Sequence, residues 1–292
     1  MESKLLIATA LNDHVRIHLA DTREIVEKAR TLHNMYPTSL AALGRTLSVA
    51  VIMGNMLKGD GENVTITING GGPIGTVMAI ANNEGKVKGF VGDSQIYQKY
   101  DNSNKLAVGL AVGKDGYLEV TKDLRLKERF VSRVALQSGE IGDDFAYYFS
   151  ISEQVPSIVS VGVLVDTDYT CKSAGAMIIE LLPNHTEEDI QYLENLTKTL
   201  KPISSVLAED NNLYTYVNSL FTDAKVLEVK EIEYSCDCSR ERFLGSLATL
   251  PRKDLEELRS EDGFEIRCEF CEKVYKFTAS DIDLVLSYVK NS

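Results

Sequence analysis

Thr38-Ser-Leu-Ala-Ala-Leu-Gly-Arg-Thr-Leu-Ser-Val-Ala-Val-Ile-Met-Gly-Asn-Met-Leu57 is the stretch on which the fold turns. Leu40, Leu43, Leu47, Val51 and Met56 recur at helical spacing, with Ala41, Ala42, Gly44, Ser48, Ala50 and Gly54 between them. A helix that is apolar nearly all round is buried, and its small residues let neighbouring backbones approach. We read it as the central helix of a main domain, packed against a sheet.

The flanking segments supply that sheet. Leu5, Ile7 and Thr9, then Asn12-Asp13, then Val15, Ile17 and Leu19 alternate as a β-hairpin. Asp21 or Thr22 caps a first helix running to about Asn34, and Tyr36-Pro37-Thr38 separates it from the central one. Beyond it, residues 64–68, 75–81, 86–91, 106–112 and 117–121 read as strands. Gly70-Gly71-Gly72-Pro73, Asn83-Glu84-Gly85 and Lys114-Asp115-Gly116 supply their turns. Residues 145–149 read as helical and 158–166 as another strand. The expected architecture for residues 1–183 is α+β, an antiparallel sheet with packed helices.

Thr186-Glu187-Glu188-Asp189 is a capping signal for a helix to about Leu200, and residues 202–207 and 212–220 predict two shorter helices. These helices are short and acidic, so docking has to supply their stability. Residues 184–231 are therefore predicted to be a metastable helical linker. A strand from Val226 to Tyr234 leads into a small module, residues 232–292. It has helices after Ser239 and Pro251, a hairpin carrying Cys268 and Cys271, and a last helix capped by Thr278 or Ser280.

That module contains Cys236-Asp237-Cys238 and Cys268-Glu269-Phe270-Cys271. Two tight pairs of thiolates can saturate one tetrahedral zinc ion. Each pair can also close on itself as a disulfide under oxidant, which would empty the metal site. About 60 residues are marginal without a staple, and a structural zinc supplies roughly 10–16 kcal/mol, so removing the metal should unfold the module. Zinc keeps thiols as thiolates, the form that attacks peroxide or hypochlorite, so the chemistry permits a redox sensor as well as an inert staple.

Composition narrows the remaining choices. Net charge is −12, with an isoelectric point near 4.9, which disfavours nucleic acid and anionic membranes as partners. Arg240, Arg242, Arg252, Lys253, Arg259 and Arg267 interleave with acids, as on a solvated mixed surface. No apolar run reaches the roughly 20 residues of a membrane span, and no signal peptide is evident, so a cytoplasmic location is expected. Cys171 reads as a packed thiol. His14, His18, His33 and His185 have no metal-binding spacing, and the glycine run lacks the Lys-Ser/Thr of a phosphate loop. Glu140, Asp143 and Asp144 form an acidic cluster better explained by charge at a helix N-terminus than by catalysis. Nothing in residues 1–183 announces an enzyme.

Tyr36-Pro37-Thr38 with Leu43-Gly44-Arg45, Gly72-Pro73-Ile74-Gly75, Ser138-Gly139-Glu140-Ile141, Ser152-Glu153-Gln154-Val155-Pro156-Ser157 and Cys236-x-Cys238-Ser239-Arg240-Glu241-Arg242 resemble the thirty-three-kilodalton heat shock protein family of redox-regulated holdase chaperones. The resemblance implies a reduced state, inactive as a chaperone, with one zinc on Cys236, Cys238, Cys268 and Cys271. Its C-terminal module and linker cover a client-binding surface on the N-terminal domain. Oxidation would join Cys268 to Cys271 and Cys236 to Cys238, release the zinc and disorder the module and linker. The protein would then dimerise and hold unfolding clients without ATP in the cytoplasm under oxidative stress. Two other readings of the residues stand beside it. The arginines after Cys238 suggest a zinc module that binds RNA or ribosomes, and the Cys-x-x-Cys spacing suggests a thiol oxidoreductase.

Overall fold

The computed structural model describes residues 2–101, 103–261 and 263–288, and the chain divides into two compact units, Met1–Ser235 and Cys236–Ser292. In the first unit the hairpin β1 (Lys4–Ala10) and β2 (Val15–Asp21) is followed by helices α1 (Arg23–His33) and α2 (Pro37–Asn55). Next come strands β3 (Asn63–Asn69), β4 (Val77–Asn82) and β5 (Lys86–Val91), the short helix α3 (Val108–Val112), and strands β6 (Tyr117–Asp123) and β7 (Phe130–Ala135). Helix α4 (Gly142–Tyr148) runs into a π-helical turn, Phe149–Glu153, ahead of the long strands β8 (Ser157–Val165) and β9 (Cys171–Leu181). Helices α5 (Glu187–Thr199), α6 (Ile203–Glu209) and α7 (Leu213–Leu220) and strands β10 (Lys225–Glu231) and β11 (Glu233–Tyr234) complete the unit. The second unit holds α8 (Arg240–Leu247), α9 (Arg252–Ser260), the hairpin β12 (Phe264–Arg267) and β13 (Val274–Phe277), and α10 (Ala279–Tyr288).

The first unit contains two sheets, ordered β10-β1-β2-β9-β8 and β11-β5-β4-β3-β6-β7. Neighbouring strands are antiparallel except β11 with β5. Helix α2 packs on β4 and β5 of one sheet and on β8 and β9 of the other, and every residue in it except Arg45 is buried. It has the length and composition of a membrane span, against the expectation that no stretch comes close. Yet 94% of the apolar window lies inside the fold. Close packing explains its small residues. A Cβ on Gly44 would come within 2.9 Å of Val163 and Val26, and one on Gly54 within 2.8 Å of Ala81 and the Asn82 carbonyl. Its hydroxyls are satisfied locally, Thr46 donating to the Ala42 carbonyl and Ser48 to that of Gly44.

One expected strand is wrong. Residues 106–112 turn into α3, because the Glu140 carboxylate accepts the Gly109 N–H while Gly72 and Ile74 donate to the carbonyls of Val112 and Ala111. These bonds use the backbone groups that a ladder would have needed. Strands β7 and β9 were not read from the sequence, although β9 lies between β2 and β8 in its sheet.

Helices α5 to α7 cover one face of the five-stranded sheet. Leu193, Ile203, Leu207, Leu213, Val217 and Phe221 bury against Leu6, Val15, Ile17, Leu19, Met177 and Ile179. Helix α5 starts with a reciprocal cap between Thr186 and Asp189. The β1–β2 turn, where Leu11, Asn12 and Asp13 all take left-handed φ, reaches both ends of this helical segment. His14 Nδ1 lies 2.7 Å from Asp189 Oδ2, the Asn12 N–H donates to Asp223 at 2.9 Å, and Lys225 Nζ donates to Asp13 at 2.9 Å. Ile232 to Tyr234, assigned from sequence to the cysteine module, fall in the first compact unit.

Phe221 is 1% exposed. Phe221→Ala is expected to cost about 3–5 kcal/mol and to speed amide exchange in α5 to α7 far more than in β3 and β4. Unchanged protection in the three helices would show that this core does not hold them.

Candidate metal centre

Cys236 and Cys238 immediately precede α8, whose N-cap Ser239 accepts the Arg242 N–H at 3.2 Å. Cys268 and Cys271 sit in the turn between β12 and β13. There the Cys268 N–H donates to the Lys273 carbonyl at 2.9 Å, and the Cys268 carbonyl accepts from Cys271 and Glu272. Glu272, at φ 61°, closes the turn in the left-handed region. Arg240 pairs with Asp281 at 2.6 Å and lies over the Phe277 ring, joining α8 to the hairpin and α10.

This framework gathers four free thiols whose sulfurs all lie within 4.8 Å of one another. Cys236 Sγ is 3.7 Å from Cys268 Sγ, and Cys238 Sγ is 3.3 Å from Cys271 Sγ. A tetrahedral zinc with bonds of about 2.3 Å would set its sulfurs roughly 3.8 Å apart. A disulfide requires about 2.05 Å. The spacing and the soft donor set therefore fit a tetrahedral metal such as zinc.

The four thiols differ in their surroundings. Burial raises Cys238, but hydrogen bonds with Tyr275 Oη, at 3.2 Å, and with Cys271 outweigh it and bring the thiol down to about 7. Burial pushes Cys236 and Cys271 up. Tyr275 also donates to the Cys238 carbonyl at 3.0 Å, and its bond with the Cys238 thiol, followed by burial, raises the phenol to about 12. The sequence reading missed Tyr275. Its signal was the alternation Val274-Tyr275-Lys276-Phe277, which puts Tyr275 on the same side of the strand as buried Phe277.

Among the described residues no other group of three or more Cys, His, Asp or Glu side chains is gathered as a metal site. Cys171 is buried in β9, and burial, with the Glu27 carboxylate second, drives its thiol up to about 12. His14 and His185 hydrogen-bond to Asp189 and the Leu182 carbonyl, His33 Nε2 lies 3.4 Å from Tyr234 Oη, and His18 lies beside Glu180. Gly70 and Gly72 lie against the backbone of α3 and Gly113, where any Cβ would collide. The cations after Cys238 pair with acids: Arg242 with Asp237, Arg252 with Glu256, Lys253 with Glu257, Arg259 with Asp283 and Arg267 with Glu272.

The acidic cluster is structural. Asp144, fully buried, accepts the N–H groups of Gln137, Ser138, Gly139 and Ile141 at the start of α4, and Asp143 accepts from Ser138 Oγ. Glu140 takes Arg45 at 2.8 Å, Tyr100 at 2.5 Å and Gly109 at 3.1 Å.

The fold and site define an α+β protein ending in a small module with four clustered thiols. Over residues 3–278 the sequence matches the family model described as Hsp33 protein. It is 42% identical to the 33 kDa chaperonin of Alkaliphilus metalliredigens, across 98% of this chain and 99% of that one. It is 40% identical to the 33 kDa chaperonin of Geobacillus kaustophilus, across 99% of each. The crystal structure of the Thermotoga maritima 33 kDa chaperonin, 34% identical, aligns over the whole of both chains with a TM-score of 0.90. The chain belongs to the Hsp33 family of chaperones.

Burial raises the Glu140 carboxyl, but the bonds from Tyr100 and Arg45 overcome it and hold the group at about 2 against a usual 4.5. Because the folded value is the lower one, this stabilisation is complete above pH about 4.5 and is lost as pH falls toward 2. It amounts to on the order of 3 kcal/mol. Glu140→Gln should flatten the acid limb of stability against pH, measured as the urea midpoint between pH 2 and 6. An unchanged acid limb would show that other carboxylates set it.

Proposed function

We propose that the protein is a redox-regulated holdase, a chaperone that needs no ATP and carries no enzymatic activity. The observation that carries this reading is the gathering of four free thiols in a unit whose own core is small. Leu247, Leu255, Phe277, Ile282 and Val285 are its buried apolar side chains among the described residues, and a core of that size contributes little net stability. When bound, one zinc ion would cross-link Cys236, Cys238, Cys268 and Cys271 and keep them as thiolates, supplying roughly 10–16 kcal/mol to the folded module.

Under peroxide, a thiolate of each pair attacks an oxygen and becomes a sulfenic acid. Its partner displaces the hydroxyl to form a disulfide. Each pair gives up two electrons, and each peroxide becomes two waters. Cys268 joins Cys271 and Cys236 joins Cys238, as the family resemblance implies. The sulfurs then no longer hold the ion, and the module, left with its own core, loses order. Helices α5 to α7 open in turn and bare the sheet face around Leu6, Val15, Ile17 and Leu19, which takes up apolar segments of unfolding proteins. The oxidised protein dimerises. The net charge of −12 keeps the complexes soluble, and thiols that must rest reduced suit the cytoplasm during oxidative stress.

The RNA- or ribosome-binding alternative rested on the arginines after Cys238, and their pairing with acids leaves it little support. Measuring zinc release and client light scattering in one sample, reduced against peroxide-treated at elevated temperature, tests the proposal. Oxidised protein should release its zinc and suppress aggregation, whereas Cys268→Ser, which lacks one of the four thiols and can close only Cys236 with Cys238, should hold zinc more weakly when reduced and form one disulfide instead of two. Zinc release that leaves scattering unchanged would defeat the holdase reading.

A further inference from the structure

Where α2 ends, Met53, Asn55 and Met56 line a cavity of about 440 Å³ whose walls also come from β2, β9, β10 and the π-helical turn. That volume lies within the roughly 300–1,000 Å³ of ligand pockets. Two of its polar side chains have no hydrogen-bond partner. His18 is 3% exposed and neither ring nitrogen makes a hydrogen bond, although Nε2 stands 3.5 Å from Glu180. Asn55 is 9% exposed, with Oδ1 and Nδ2 both unpaired. Folded proteins rarely leave such groups unsatisfied, because each costs stability that an apolar residue would keep.

The rest of the lining describes what would satisfy them. Arg16, Lys58 and Lys122 are balanced by Glu153, Glu180 and Glu228, so neither an anion nor a cation finds a net counter-charge. Lys122 is held by Glu153 at 2.7 Å. Met53, Met56 and Phe149 form an apolar wall, and thioethers adapt to varied shapes. The π-helical turn that presents Phe149 and Glu153 is a rare conformation, frequent at functional sites. A carboxamide such as Asn55 has one acceptor beside its donors, the complement of a peptide group's N–H and C=O. At the rim, β10 pairs with β1 on one side and is the edge strand on the other, with Leu227 60% exposed.

We propose that this cavity binds an extended peptide segment. One peptide group pairs with Asn55 and His18, and the adjoining apolar side chain sits among Met53, Met56 and Phe149. Ile17 and Leu19 face α5 to α7, whereas His18, between them on β2, points to the opposite face of the sheet. The site is therefore separate from the surface that the linker helices cover. It needs no oxidation, so it stands or falls apart from the redox reading.

The test is titration of the reduced, zinc-loaded full chain with N-acetyl-phenylalanine amide, following the His18 ring resonances. A saturable shift is expected, at least about tenfold weaker in Asn55→Leu, while the melting temperature of the unliganded variant holds or rises as an unpaired buried amide is removed. Leu227→Trp, an exposed substitution that obstructs the rim, should weaken binding even if Asn55→Leu fails to fold. N-acetyl-phenylalanine and phenethylamine, which carry opposite charges, should bind more weakly than the amide. No saturation in the parent protein, tighter binding of a charged analogue, or a drop in melting temperature with unchanged binding in Asn55→Leu would overturn the proposal, leaving a water-filled structural cavity. A second arm separates the sources of peptide. Saturating amide that blocks capture of an unfolding client by the oxidised protein assigns the site to segments of unfolded chains, and undisturbed capture assigns it to free peptides. Neither result rescues the site if the first arm fails.

Discussion

The burial of α2 on all sides is the constraint on which the larger unit depends. A single helix with apolar groups around its whole circumference cannot be covered by one sheet, so two sheets form, one on each side of it. The chain must then satisfy the polar groups drawn in with the helix. Thr46 and Ser48 return their hydroxyls to the helix's own carbonyls. Arg45, the one residue of α2 that is not buried, is joined to Glu140, and through it to Tyr100 and the start of α3. The acidic cluster that invited a catalytic reading is thus part of the arrangement that lets a charged residue sit on an apolar helix.

The smaller unit follows the opposite principle. Its buried apolar side chains are few, and its order is concentrated in a turn geometry that brings four sulfurs together. Where the larger unit relies on extensive packing, this one gathers four thiols beside a small apolar core. Burial and hydrogen bonding further divide the thiols, with Cys238 favoured to ionise and Cys236 and Cys271 disfavoured.

Much of this was legible in the residues. The opening hairpin, α1, α2 and the three linker helices announced themselves through alternation, helical periodicity and caps such as Thr186 with Asp189. The cysteine spacing pointed to the module and to the four thiols that the fold gathers. What stayed hidden was set by distant partners. Residues 106–112 form a short apolar run whose helical form is decided by Glu140, more than thirty positions on. Strand β9 is apolar along most of its length because the sheet is covered on both faces, so it lacks the alternation that marks a half-exposed strand. Tyr275 acquires its role only when the hairpin lays it against Cys238.

The β1–β2 turn ties His14 to Asp189 at the start of the helical segment, and Asn12 and Asp13 to Asp223 and Lys225 near its end. Helices α5 to α7 therefore form a closed loop whose two ends share one anchor. Peeling the middle of such a loop off the sheet does not separate its ends, so the undocked helices remain at high effective concentration over their own seat. The entropy of closing the loop is already spent before they return. Re-docking is then an intramolecular event, insensitive to protein concentration and able to compete with anything weakly held in its place.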